Sequence, residues 1–196
     1  MAHLDLERQL CFYGSYHHNK VNFLIHSICV PLILATSLML ATNSPVIIPL
    51  PSFLTVPHLS LNLGTLAAIG YSGFYLLLEP VAGGVLIPAI FAATAYGDSL
   101  TSADATSTNK VLIPLTAACW IAQFIGHGAF EHRAPALFDN LVQALVLAPF
   151  FVWMEILFKF GYRPELRQRV DKAVEKELAK LKAKRLNGAA KNEKAQ

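Results

Sequence analysis

Between residues 21 and 158 the chain carries only eight charged side chains: Glu79, Asp98, Asp104, Lys110, Glu131, Arg133, Asp139 and Glu155. A water-soluble fold could not cover its surface with so few, because soluble domains run near 25% charged and this chain is 15% charged and 54% hydrophobic. The missing charge sits in the tail, where residues 159–196 hold 12 of the 16 Lys and Arg residues. This pattern excludes a nucleic-acid binder, a disordered chain and a secreted disulfide scaffold. Cys11, Cys29 and Cys119 have no CxxC spacing and read as small apolar core residues. The chain reads as a multi-span membrane protein.

A helix needs about 20 mostly apolar residues to cross a bilayer. That ruler predicts an all-α fold, a polytopic transmembrane helical bundle with four full spans at 21–41, 59–78, 81–96 and 111–130. A fifth apolar segment, 141–158, is broken by Pro149 and is expected to be re-entrant or in-plane. Residues 43–58 and the polar stretch 97–109 are expected loops, and Glu79-Pro80 should turn a tight hairpin. Residues 1–158 then form one membrane-embedded domain, and 159–196 a basic, partly helical tail with Val170, Val174, Leu178 and Leu181 on one stripe. The excess of Lys and Arg puts that tail in the cytosol. A cytosolic N-terminus then requires an even number of crossings, and five spans with a lumenal N-terminus is the alternative. The first 20 residues lack a cleavable signal pattern, so the first span doubles as the insertion signal.

Ionisable groups at a span are expensive and suggest a functional site. His18, Asn22 and His26 form an i, i+4, i+8 ladder if the first span is continuous from residue 18; if Asn19 caps that helix, His17 folds over its mouth instead. Gln123, His127 and Glu131 share a face at the end of the fourth span, with Asp139, Asn140 and Glu155 further on. The start of span one and the end of span four emerge on the same side, so these groups can meet. His3 and His58 read as ordinary solvent-exposed histidines, and Gly126 and Gly128 as close-packing residues. Neutral imidazoles with one carboxylate and open positions suit a non-haem Fe(II), although Zn²⁺ accepts the same ligands.

The stretch FYGSYHHNKVNFLIHSICVP (residues 12–31), together with WIAQFIGHGAFEHRAPALFDNLVQALVLAPFFVWMEILF (residues 120–158), resembles the Mpo-type 2-hydroxy fatty acid dioxygenases. These are endoplasmic-reticulum membrane proteins of fungi, with bacterial and plant relatives. The middle, from about residue 43 to 109, matches only in being apolar. The family pattern falls on His17, Asn19, Asn22, His26, His127 and Glu131. His18 matches only the fungal form, His132 stands where relatives often carry Lys, and Ala134 stands where relatives often carry Arg before the Pro. Periodicity favours His18 and the family pattern His17; the two agree if Asn19 caps the helix.

The resemblance implies Fe(II)-dependent α-oxidation, in which a long-chain 2-hydroxy fatty acid and O₂ give an acid one carbon shorter. In fungi this serves phytosphingosine breakdown, where the substrate is 2-hydroxypalmitic acid. His17 (or His18), His26 and His127 would hold the metal, with Glu131 as a fourth ligand or as a partner orienting an imidazole. Asn22 and Arg133 would position the carboxylate, the acyl tail would lie between spans, and no 2-oxoglutarate would be needed. Three readings compete with this one. A di-iron hydroxylase needs HxxxH and HxxHH boxes, neither of which occurs among the seven histidines. A membrane scaffold or transporter would place polar residues along a pathway, and a b-type haem protein would use two histidines as axial ligands. The oligomeric state stays open.

Overall fold

The computed structural model describes residues 5–131 and 143–193, and all regular structure within them is helical. Helix α1 (Leu6–Tyr16) opens on Asp5, whose carboxylate accepts the Arg8 N–H. It stops at His17, and the extended Asn19 (φ −75°, ψ 130°) starts α2 (Lys20–Ala41), its side chain accepting the Val21 N–H at 2.8 Å. A Pro-rich connection follows, with one short 3₁₀ turn at Ser52–Leu54, as expected for residues 43–58.

Glu79 both ends α3 (Leu63–Leu78) and caps α4 (Pro80–Ile125), with Pro80 in the first turn where its missing N–H costs nothing. The two helices close as the expected hairpin: a Cβ on Gly83 would stand 2.6 Å from the Tyr75 carbonyl. Glu79 is buried and accepts the Ala82 N–H, the Tyr162 hydroxyl (2.9 Å) and the Arg163 guanidinium (3.3 Å). Glu79→Ala is expected to lower stability by about 2–3 kcal/mol, roughly one for the cap and the rest for the stranded donors. Denaturant unfolding in detergent checks this.

Four full spans plus a fifth is not what the chain forms. Among the described residues two helical stretches are long and apolar enough to cross a membrane, Lys20–Ala41 and Pro80–Glu131, the second bent at Asp104; a bent pair, Ala144–Lys159 with Pro164–Lys180 at 118°, would make at most three. Helix α3 is too short because its start waits for Asn62, whose side chain caps Thr65 and also donates to Asp98 at 2.8 Å. The expected loop at 97–109 is helical except at Asp104 (φ −155°, ψ 91°), where α4 doubles back. Thr108 Oγ1 there reaches the carbonyl of Leu100 at 3.2 Å, whereas eight residues of straight helix would separate them by about 12 Å. Nor does Pro149 break a helix. It stands in the first turn of α5 (Ala148–Lys159), after a π-helical turn at Gln143–Leu147.

The second arm of α4 runs antiparallel to α2. Asn109 pairs with Asn43, Thr116 with Thr36 at 2.7 Å, and Gly126 lies against Asn22. Helix α5 fills the centre, with Phe150, Phe151, Val152 and Met154 fully buried. The basic α6 (Pro164–Glu193) packs on α1 through Val170 and Val174, and Arg169 pairs with Glu7 at 2.9 Å. Outward-facing Val21, Leu24, Ile28 and Leu32 on α2, with Ile121, Phe124 and Ile125 on α4, leave an apolar surface of the kind lipid covers.

Candidate metal centre

The antiparallel pairing of α2 with the second arm of α4 decides which polar groups meet. His26 lies in the second turn of α2, and α4 ends beside it in a π-helical turn, Gly126–Glu131, which carries His127. His17 reaches the same point from the end of α1. One ligand nitrogen from each of the three lies within 4.8 Å of the others. Their ring centroids are 4.4 Å (His17–His26), 4.8 Å (His17–His127) and 4.8 Å (His26–His127) apart, with the planes crossing at 68–78°.

Two of the rings are set by the same device. His17 Nδ1 lies 2.9 Å from the Tyr13 carbonyl and His26 Nδ1 lies 2.9 Å from the Asn22 carbonyl, each four residues earlier. A carbonyl only accepts, so Nδ1 carries the proton in both and Nε2 keeps its lone pair. Two neutral acceptor nitrogens converging with a third imidazole call for an electron-pair acceptor, and a borderline cation such as Fe(II) fits that donor set. Ring centroids this close leave no room for a porphyrin between any two of these three imidazoles, so the cluster is not a bis-histidine haem site.

Tyr13 stacks on His17 at 4.0 Å and 19° and walls it from the core. Burial pushes the His17 pKa well below the ordinary histidine value; His26 and His127 add to this, and the Tyr13 carbonyl opposes it. The unfolded chain protonates His17 below about pH 6.5 and the fold resists it, so metal-free protein should lose stability as pH falls from about 7.5 to about 5.5. Thermal unfolding at the two pH values checks the slope, which His17→Phe should flatten.

His18 is exposed and outside the cluster, because the helix starts at Lys20 and the ladder from residue 18 does not exist. Glu131 is also outside the trio: its Oε1 accepts the Asn19 N–H at 2.8 Å and Asn22 Nδ2 at 3.1 Å. Asn22 is fully buried, so its side chain joins α4's end to α2 while its carbonyl orients His26. Gly126 permits the approach, since a Cβ there would collide with Asn22 Oδ1, whereas Gly128 faces open space. Gln123 lies apart from the trio, in the wall of an apolar cavity. Arg133, His132, Asp139 and Asn140 lie outside the described residues. The Glu131–Asn19 contact and the Tyr13 stack went unread in the sequence. The adjacent glycines at 126 and 128 were the only hint of a special backbone at His127.

On the His17 side, a cavity of 640 Å³ is bordered by Lys20, Lys159 and Arg167 as well as Phe23, Ile156 and Val174. Lys159 sits over the Phe23 ring at 4.4 Å, and Arg167 pairs with Glu155 at 3.6 Å. Asp171 also lines this cavity and pairs with Arg167, so Lys20 and Lys159 are its cations without a carboxylate in the wall to match; the cluster has a polar approach on one flank and apolar helices on the other.

The family model described as 2-hydroxy-palmitic acid dioxygenase Mpo1-like matches residues 3–160. The chain is 38% identical over 185 residues to the 2-hydroxy-palmitic acid dioxygenase MPO1 of Saccharomyces cerevisiae, covering 93% of this chain and 97% of the yeast protein. No solved structure matches it.

Proposed function

Because this chain belongs to the Mpo1-like family of 2-hydroxy-palmitic acid dioxygenases, we infer that it is an iron-dependent dioxygenase of 2-hydroxy fatty acids. The observation that carries this reading is the convergence of His17, His26 and His127 from three separate helical segments onto one point. Fe(II) held there supplies the redox activation of O₂ that no side chain in the cluster provides.

The protein's own groups bind and orient. The Tyr13 and Asn22 carbonyls hold the His17 and His26 rings in the tautomer that leaves Nε2 unprotonated. Glu131 acts as a positioning residue: tied to Asn19 and Asn22, it anchors the turn that carries His127. Arg133, two positions beyond Glu131, is the proposed partner for the substrate carboxylate, for which a guanidinium offers two parallel donors. Lys20 and Lys159, in the lining of the flanking cavity, attract the acid toward the cluster.

The proposed substrate is long-chain, and the product is the acid one carbon shorter. Written as 2-hydroxy acid plus O₂ giving shortened acid, CO₂ and water, the reaction draws all its electrons from the substrate and needs no 2-oxoglutarate. The proposed site of action is the endoplasmic-reticulum membrane, with the basic α6 in the cytosol; its Lys and Arg excess supports that side. Purified, iron-loaded protein given 2-hydroxyhexadecanoic acid should yield pentadecanoic acid in step with O₂ uptake. Absence of the shortened acid, or an absolute requirement for 2-oxoglutarate, would overturn the reading.

A further inference from the structure

We propose that the apolar groove between α2, α3, the second arm of α4 and α5 holds the acyl tail of the 2-hydroxy acid, and that the length of the groove, from Val30 to Ala41, sets the chain length it favours. This rests on the function proposed above. The groove encloses 330 Å³, a volume in the usual range for a small-molecule site. Its α2 wall is Val30, Ile33, Leu34, Ser37, Leu38 and Ala41, of which Val30, Leu34, Ser37 and Ala41 form one row. These continue the face of His26 at spacings of 4, 4, 3 and 4 residues, which is one stripe of a helix. On α4, Trp120 and Gln123 line it two turns and one turn before His127. The groove thus begins one turn from two of the three imidazoles and runs away from them.

Its length follows from the helix. Val30 to Ala41 advances about 16 Å at 1.5 Å per residue, room for roughly a dozen extended methylenes. Helix α3 packs tightly on α2 at the far end, where a Cβ on Gly64 would stand 2.7 Å from the Leu38 carbonyl. Tyr71, the phenol on the wall, already donates to the Leu145 carbonyl at 3.1 Å, so it makes no polar demand on the tail. A second apolar cavity, of 360 Å³, lies on the other side of Leu34 and Leu38. Its own α2 residues, Pro31 and Ala35, are five and nine positions from His26 and turn away from the imidazole face.

The two tryptophans separate these cavities, since Trp120 lines the first and Trp153 the second. Trp153→Phe leaves Trp120 as the fluorophore, and Trp120→Phe leaves Trp153. Iron-loaded protein without O₂ is titrated with 2-hydroxyhexadecanoic acid brominated at mid-chain. Quenching of Trp120, reversed by the unbrominated acid, with Trp153 unchanged, is the expected result. Quenching of Trp153 instead, of both equally, or of neither overturns the proposal.

A steady-state comparison adds an independent readout. Ala67→Phe, which narrows the far half from α3, should cut kcat/KM for the 16-carbon substrate about tenfold or more while leaving the 10-carbon one within about twofold. An unchanged profile contradicts the assignment, as does an equal fall for both lengths in protein that still shows the Trp120 response. Failure of the functional reading looks different: no 2-hydroxy acid is shortened by wild-type protein, whatever the tryptophans report.

Discussion

His127→Ala should strip the protein of bound iron and lower O₂-dependent shortening of 2-hydroxyhexadecanoic acid by at least about 100-fold, since loss of mere supporting partners around a metal already costs 10–100-fold. His127 is one of three nitrogens within 4.8 Å, and the remaining two, His17 and His26, leave a site that water and buffer can open. The fold itself should survive. His127 sits in a terminal π-helical turn, and Glu131 still ties that turn to Asn19 and Asn22. The imidazole-sized hole also offers a rescue: added imidazole should restore part of the iron and part of the activity. Iron analysis of the purified variant, beside its unfolding midpoint, separates ligand loss from unfolding. Wild-type iron content in His127→Ala would remove this residue from the site.

Gly126→Ala should be nearly as damaging, although it touches no ligand atom. Its new methyl collides with Asn22 Oδ1 and stands 3.4 Å from Ile25 Cδ1. Asn22 has nowhere to go, because its side-chain Nδ2 donates to Glu131 and its backbone carbonyl accepts from the His26 ring. The end of α4 must then lift from α2 and carry His127 with it. Iron affinity should fall about 10–100-fold. Gly128→Ala, two residues on, meets nothing within 4 Å and should hold its affinity within about twofold, as open surface changes do. Iron titration of both variants reads the contrast. Equal behaviour of the two would mean that close approach at Gly126 does not place His127.

The three imidazoles were legible because buried ionisable groups in a charge-poor chain stand out. Between His17 and His18 periodicity favoured residue 18 and the family pattern residue 17; the structure forms the Asn19 cap that reconciles them, ending the helical phase on which residue 18 depended. The span count was not legible. Polar residues at 97–109 suggested a loop, yet Ser99, Thr101 and Thr108 fold their hydroxyls back onto the carbonyls of Tyr96, Gly97 and Asp104. A helix can absorb such side chains without exposing a polar group. The reversal falls on Asp104 alone, which caps Ser107 and starts the returning arm. Hydropathy also overran the start of α3, where Asn62 is held by Asp98 from 36 residues away. Glu131 could be assigned to the site but not to a partner, because its hydrogen bonds bridge 112 and 109 residues and depend on a π-helical turn.

X-ray absorption at the iron edge tests the central claim most directly. Purified wild-type protein should bind one iron per chain, with the outer-shell scattering of three imidazoles and no sulfur neighbour. The imidazole signal should drop by one ring in any single His17, His26 or His127 variant that retains metal. Iron that lacks imidazole scattering, or a spectrum unchanged when His26 and His127 are both replaced, would contradict the account.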